Sequence, residues 1–476
     1  MQIPEKGLPK EQVLETLQAF KSHDMDWKAG KVWCYVYDPG AETSQVIKEA
    51  YLAFLTENGL DPTVFPSMLK LETDVVRMVA TLLRGDENVV GHLTTGGTES
   101  IMLAVKTARD RAMALHPEIT RPEMVLPKTA HASFHKAAHY LGVKPVVVDI
   151  DPTTFKVKSE DMRAAITENT VLLVASSPSY SQGVIDPIAE IGKIAQEKNL
   201  LFHVDGCVGG IHLSFMRKLG YELPDFDFSV PGVTSISTDL HKYGYAAKGA
   251  STILYRSKDI RKYQIFACTD TTAYTLINPT VLSTKSGGPM AGAWATLTYL
   301  GEEGFMRIVK TVQEATHKLI EGINAIPELE VLGQPAMCMF SFKSDAINVY
   351  QLGDAMAKRG WYIQGQFSTS LTPRNLHISV NYGTTHQTEA LLADLRECIE
   401  EVKKMDPIDS EGIRAMVESA LQGPDPEAAF GQLAASAGLT GTDLPEEMAF
   451  INEVLDALPD ALCNIFLVNY FNDLYV

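Results

Sequence analysis

The chain has 476 residues, 45% hydrophobic and 21% charged, the balance of a globular protein with ample material for a core. Its net charge of −18 argues against nucleic acid or an anionic membrane as the main partner. No stretch approaches the roughly 20 apolar residues of a bilayer span, the opening MQIPEKGLPKEQ lacks an apolar signal region, and six scattered cysteines form no C-x-x-C pair. A cytoplasmic protein with reduced thiols and no membrane span is expected.

Residues 1–75 read as a polar helical segment, with Val46, Ile47, Ala50, Tyr51 and Phe54 at helical spacing. Residues 76–300 read as a large domain. In it the β-rich runs Glu123–Leu126, Pro145–Asp149, Val171–Ala175, Leu200–Val204, Val233–Ser237 and Ser251–Tyr255 alternate with helical patterns. That alternation predicts an α/β fold with a mostly parallel sheet covered on both faces. In the helix predicted to end near Lys198, Asp186 is placed as N-cap and Pro187 at the first helical position. Residues 301–405 read as a smaller α/β domain, with helices near 303–325 and 386–404 and strands near 338–343 and 376–381. After Met405 the chain turns acidic and Pro/Gly-rich, and Phe450 to Tyr475 returns to apolar helical spacing, so residues 406–476 read as a linker and a helical extension.

Four stretches carry chemistry. Val89 to Ser100 runs from a strand through Gly96 and Gly97 into an amphipathic helix, which can cradle a phosphate or simply turn tightly. It is neither G-x-G-x-x-G nor a Walker motif, so nucleotide readings weaken. His131 opens another helix, with His135 and His139 following on one face. A metal is not favoured there, and His131 fits better as an aromatic plate over a flat ligand. Asp205 ends the apolar strand from Leu200, where open α/β sheets bind ligands. Lys242 follows a further strand, with His241 beside it and Lys248 six residues on. A second positive charge and burial are expected to lower its pKa and favour the amine that forms Schiff bases. A phosphate cradle, an aromatic plate, a strand-end carboxylate and such a lysine are the parts that pyridoxal phosphate needs.

The order of these motifs resembles group II decarboxylases among the fold-type I pyridoxal-phosphate enzymes. T-S-I-S-x-D-x-H-K-Y-G-Y-A-x-K-G from Thr234, P-x-x-A-H-A-S-F-x-K-A-A from Pro127 and S-P-x-x-x-x-G-V-I-D-P-I from Ser177 are similar to the sphingosine-1-phosphate lyase family over about residues 28 to 405. The resemblance, to the soluble bacterial type, implies a homodimer with shared active sites. In it Lys242 forms the Schiff base, Asp205 partners the pyridine nitrogen and His131 stacks on the ring. Gly97, Thr98 and His241 hold the cofactor phosphate, with Thr284 where the family has a serine given by the second subunit. Tyr37 and Lys248 match its other active-site tyrosine and lysine. The implied reaction is retro-aldol cleavage of a phosphorylated long-chain base to fatty aldehyde and phosphoethanolamine.

Three positions depart from that pattern. Asp61 stands where the family has a histidine that helps bind substrate phosphate, and a carboxylate suits an amine or hydroxyl better. Lys285 replaces an arginine, exchanging a bidentate donor for a point charge. Gly206 replaces an alanine and is expected to leave room behind the ring. These departures keep amino-acid decarboxylation open as the alternative reaction. A non-enzymatic carrier is disfavoured, since it needs no Schiff-base lysine.

Overall fold

The computed structural model describes residues 2–272, 274–422 and 447–475. Its centre is a seven-stranded sheet: β1 (Val90–Thr94), β2 (Glu123–Pro127), β3 (Lys144–Val148), β4 (Thr170–Ser176), β5 (Leu201–Asp205), β6 (Ser235–Asp239) and β7 (Ser251–Tyr255). They lie in the order β1-β7-β6-β5-β4-β2-β3. Strand β7 runs antiparallel to both neighbours, and β2 to β6 pair in parallel. Parallel neighbours need a crossover helix; the short link from β6 to β7 holds none, so the chain turns straight back. Strands β2, β4, β5, β6 and β7 are buried along their whole length, which is why they read as continuous runs without alternation. At the edge, β3 starts with Lys144 and Pro145, residues that discourage further pairing.

Helices cover both faces. The helix Gly97–Leu115 buries Ile101, Ala104, Val105, Ala108 and Ala112, and Pro66–Leu82 buries Met68, Val75, Val76 and Val79. A hairpin of β8 (Phe266–Cys268) and β9 (Leu276–Asn278) follows the large sheet. A second, antiparallel sheet holds β10 (Glu330–Val331), β11 (Met339–Lys343), β12 (Gln364–Gln366) and β13 (Asn375–Ser379), in the order β10-β11-β13-β12. The segment from Lys31 stitches onto it: Trp33 N–H donates to the Tyr362 carbonyl at 3.0 Å, and the Ser379 N–H to that of Trp33 at 2.8 Å. Residues 410–421 and 449–457 form helices that pack through Ile413, Val417 and Val454, and Asp354 accepts the N–H groups of Met448 and Ala449. The 423–446 part of the acidic stretch expected after Met405 lies outside the described residues.

Two local expectations differ from the structure, and two short strands carry no sequence signal. The helix expected from near residue 303 begins at Gly287 and runs to Asn324, broken only at Gly301 (φ 55°, ψ −176°). Strands β10 and β12 are too short to show a period. Asp186 does not cap its helix: Pro187 holds that position, while the buried Asp186 carboxylate accepts the Ser176 N–H at 2.8 Å and pins the helix entry to β4. Burial lifts this carboxyl from 3.8 to about 6.

Ionising Asp186 therefore costs the folded state. The penalty is absent below pH 3.8, grows between that value and about 6, and is complete above it. Relative to Asp186→Asn, the wild type should lose roughly 2–3 kcal/mol of stability between pH 4 and pH 7. Thermal melts of both proteins across that range read the difference, and a constant difference would show that Asp186 is not a desolvated acid.

Candidate active site

Strand β1 leads through Thr95 and Gly96 into the helix starting at Gly97. A Cβ on Gly97 would sit 2.8 Å from both Asp239 Oδ2 and Cys207 Sγ, so only glycine lets the chain pass here. The helix start offers unpaired N–H groups and the positive end of its dipole. Glu99 braces the turn: Oε2 accepts from Thr95 N–H and Oγ1 at 2.7 Å each, and Oε1 from Val281 N–H at 2.8 Å. Thr98 Oγ1 lies 2.9 Å from Ser133 Oγ, itself 2.9 Å from His131 Nδ1. His131 occupies the N-cap of Ala132–Leu141, fixed there because its side chain accepts the Ser133 N–H. His135 and His139 stay exposed on that helix, away from the cleft.

The opposite wall is the carboxyl edge of β5 and β6. Asp205 Oδ1 accepts from Cys207 N–H at 3.0 Å and Ser237 Oγ at 3.3 Å. Lys242 Nζ lies 3.0 Å from Asp239 Oδ2, with His241 Nε2 at 3.7 Å from the same oxygen. Burial works against the Asp239 charge, but Lys242 and His241 outweigh it and hold this carboxyl below the usual range. The reverse holds for Lys242: burial opposes its ammonium, and Asp239 overrides burial, raising it above an ordinary lysine. This corrects the expected direction, because the carboxylate three residues upstream outweighs the neighbouring lysine. The lowered amine is Lys248, pushed to about 8 by burial and then by Lys242.

Gly97, Thr98, His131, Asp205, His241 and Lys242 line one cleft of about 360 Å³. Asp239, Cys207, Ser176 and Tyr180 line it too, and no role was assigned to them from sequence. Asp239 lies inside the quoted lysine motif, and Ser176 and Tyr180 lie at or just past the carboxyl end of a parallel strand; both positions were available as signals.

The other expected residues sit outside that lining. Tyr37 packs edge-on to Tyr243 at 5.0 Å, and Lys248 Nζ lies 4.7 Å over the Tyr37 ring while donating to the Tyr35 and His241 carbonyls. Thr284 is exposed. Asp61 is exposed as well, its Oδ1 closing a turn on Thr63 N–H (2.8 Å) and Oγ1 (2.7 Å). Lys285 is buried, and its ammonium bonds both oxygens of Glu72 at 2.6 and 2.7 Å within its own chain. At Gly206 a Cβ would make a tight contact on the β6 side, 3.0 Å from the Ser237 carbonyl.

These groups fit pyridoxal phosphate. The Gly97 turn makes space that a Cβ would fill, the helix start and Thr98 supply donors for a phosphate, Asp205 supplies an acceptor, and Lys242 supplies the amine.

Comparison with known proteins agrees. The pyridoxal-dependent decarboxylase conserved domain matches residues 3–345, and a model of a C-terminal HTH region of pyridoxal-dependent enzymes matches residues 411–473. The chain is 41% identical to a sphingosine-1-phosphate lyase of Arabidopsis thaliana, over 84% of this chain and 74% of the relative. The structure of a sphingosine-1-phosphate lyase from Burkholderia pseudomallei superposes with a TM-score of 0.81 at 36% identity, covering 89% of this chain and 98% of that one. A probable L-aspartate decarboxylase of Pyrococcus furiosus is 32% identical, over 76% of this chain and 95% of its own. The chain belongs to the pyridoxal-dependent decarboxylase family, with the sphingosine-1-phosphate lyases among its relatives, and is a pyridoxal-phosphate-dependent lyase.

Proposed function

We propose that the protein cleaves a phosphorylated long-chain base between the amine-bearing and hydroxyl-bearing carbons, releasing a fatty aldehyde and phosphoethanolamine. The observation that carries this reading is the likeness to sphingosine-1-phosphate lyases across most of both chains. The Asp61 carboxylate, the departure that leaves decarboxylation open, accepts from the Thr63 N–H and hydroxyl in a local turn.

Pyridoxal phosphate supplies an aldehyde that captures amines and a ring that draws electrons from a bond at the amine-bearing carbon. Gly97, Thr98 and His241 would hold its phosphate, His131 would cover one ring face, and Asp205 would keep a proton on the ring nitrogen. Lys242 provides the anchoring amine, and Asp239 keeps that amine in place through their 3.0 Å contact. Lys248 is the group suited to take the hydroxyl proton of the substrate. Its amine ionises near 8, so about a tenth is free base at pH 7, far more than for an ordinary lysine, and its contact with the Tyr37 ring aims it.

We also place the protein in the cytoplasm as a homodimer. The helix Lys10–Phe20 buries no residue in its own chain and exposes Val13, Leu14, Leu17 and Phe20, an apolar stripe that a second copy can cover. The six cysteines are free, and among the described residues no helix is long and apolar enough to cross a membrane.

Incubating the pyridoxal-phosphate-loaded protein with dihydrosphingosine-1-phosphate should give a long-chain aldehyde and phosphoethanolamine by mass spectrometry. Lys242→Ala should lose both products and the visible absorbance of the bound cofactor. Carbon dioxide from an amino-acid panel, with no aldehyde, would instead establish decarboxylation. Aldehyde formation should rise with pH through about 8 and lose that limb in Lys248→Met; a rate that falls through the same pH would give Lys248 the work of a cation. Sedimentation should show a dimer, and a monomer at working concentration would rule out a shared site.

A further inference from the structure

We propose that His203, with Ser235 and Ser237, is a positioning unit for Asp205: a one-way chain of hydrogen bonds that commits one carboxylate oxygen to the protein and reserves the other for the cofactor ring. The inference rests on the reading of Asp205 as the partner of the ring nitrogen.

The sheet register builds the chain. His203 and Asp205 are two residues apart on β5 and so share a face, and in the parallel pairing with β6 they lie beside Ser235 and Ser237 respectively. His203 Nδ1 is 2.9 Å from Ser235 Oγ and Nε2 is 3.1 Å from Ser237 Oγ. Ser237 Oγ in turn reaches Asp205 Oδ1 at 3.3 Å, and also lies 3.3 Å from Cys207 Sγ. His203 and Ser237 are fully buried and Ser235 nearly so.

The proton positions follow from the chemistry of the partners. An ionised carboxylate only accepts, so Ser237 spends its single hydrogen on Asp205. His203 must then carry its hydrogen on Nε2 to serve Ser237. Burial lowers the imidazole to about 4 against the pull of Asp205, so the ring is neutral and Nδ1 is bare. Nδ1 therefore accepts from the Ser235 hydroxyl. Every donor points toward Asp205, and each bond polarises the next. Oδ1 takes both Ser237 and the Cys207 N–H, which leaves Oδ2 for a group in the cleft. Polar side chains inside a sheet buried on both faces are costly unless fully paired, so three together at this spot mark a task that Val or Ile would not perform. The arrangement is also tied to the opposite wall: Phe134, on the helix that His131 caps, packs edge-on to His203 at 5.9 Å.

The test is retention of pyridoxal phosphate by the full chain, read as the dissociation constant on reconstitution of apoprotein and as the position of the visible band. Ser237→Ala and His203→Phe should each weaken binding about tenfold, the worth of one hydrogen bond to a charged group, and shift the band. His203→Gln, which can still donate to Ser237, should recover most of the loss. In an Asp205→Ala background the same changes should cost nothing further, because the unit acts only through that carboxylate. Normal affinity and spectrum in Ser237→Ala, beside large losses in Asp205→Ala, would overturn the positioning unit while leaving the role of Asp205 intact. So would equal losses with and without Asp205. An Asp205→Ala protein with unchanged affinity and band would overturn the reading of Asp205 itself. Ser237→Ala removes one oxygen atom and carries the test if His203→Phe does not fold.

Discussion

The parallel pairing of β5 with β6 puts two buried carboxylates, Asp205 and Asp239, on the same edge of one sheet. Buried negative charge is expensive, and much of the cleft can be understood as what makes the pair tolerable. Asp239 is met by Lys242 and His241. Asp205 is met by a backbone N–H and a serine hydroxyl. Because one carboxylate is paired with a cation and the other with neutral donors, the two differ in character: the first grips an amine, the second is oriented toward the space between the walls.

The same constraint explains how the two lysines divide. Lys242 sits where Asp239 can reach it and is held as an ammonium; Lys248, a little further along the turn and exposed in its own chain, lacks such a partner and bonds only carbonyl oxygens. A cation facing carbonyl dipoles is less stabilised than one facing a full negative charge, so the outer lysine gives up its proton more readily. The turn thus presents two amines of opposite habit, and the N-terminal segment, laid along the small sheet at Trp33, brings Tyr37 against the second of them.

Much of this was legible in the sequence where the signal is local. β7 was read at its observed bounds, and the bounds of β2, β3, β4, β5 and β6 differ from those observed by at most two residues. The Gly96-Gly97 turn, His131, Asp205 and Lys242 were singled out from local signals, Thr98 and His241 came with the family resemblance, and Gly97, Thr98, His131, Asp205, His241 and Lys242 meet in one cleft. What stayed hidden depends on partners distant along the chain. Lys285 reads as an available cation until Glu72, more than two hundred residues away in sequence, is found on its ammonium. Asp186 has the spacing of an N-cap, but a free N–H on β4 competes for its carboxylate and wins. Gly206 looks like added space in a one-dimensional comparison, and in the fold that space faces β6, where the Ser237 carbonyl would lie 3.0 Å from a Cβ. In each case residue type was read correctly and direction was not, since direction is set by tertiary packing.

Glu99 joins two parts of the molecule that the chain separates widely. One of its oxygens braces the turn before the cradle helix and the other holds the backbone at Val281, three residues before Thr284. In the proposed dimer, the first part receives the phosphate of one cleft and the second leads to the residue offered to the other. A single carboxylate is then a rivet between the two sites.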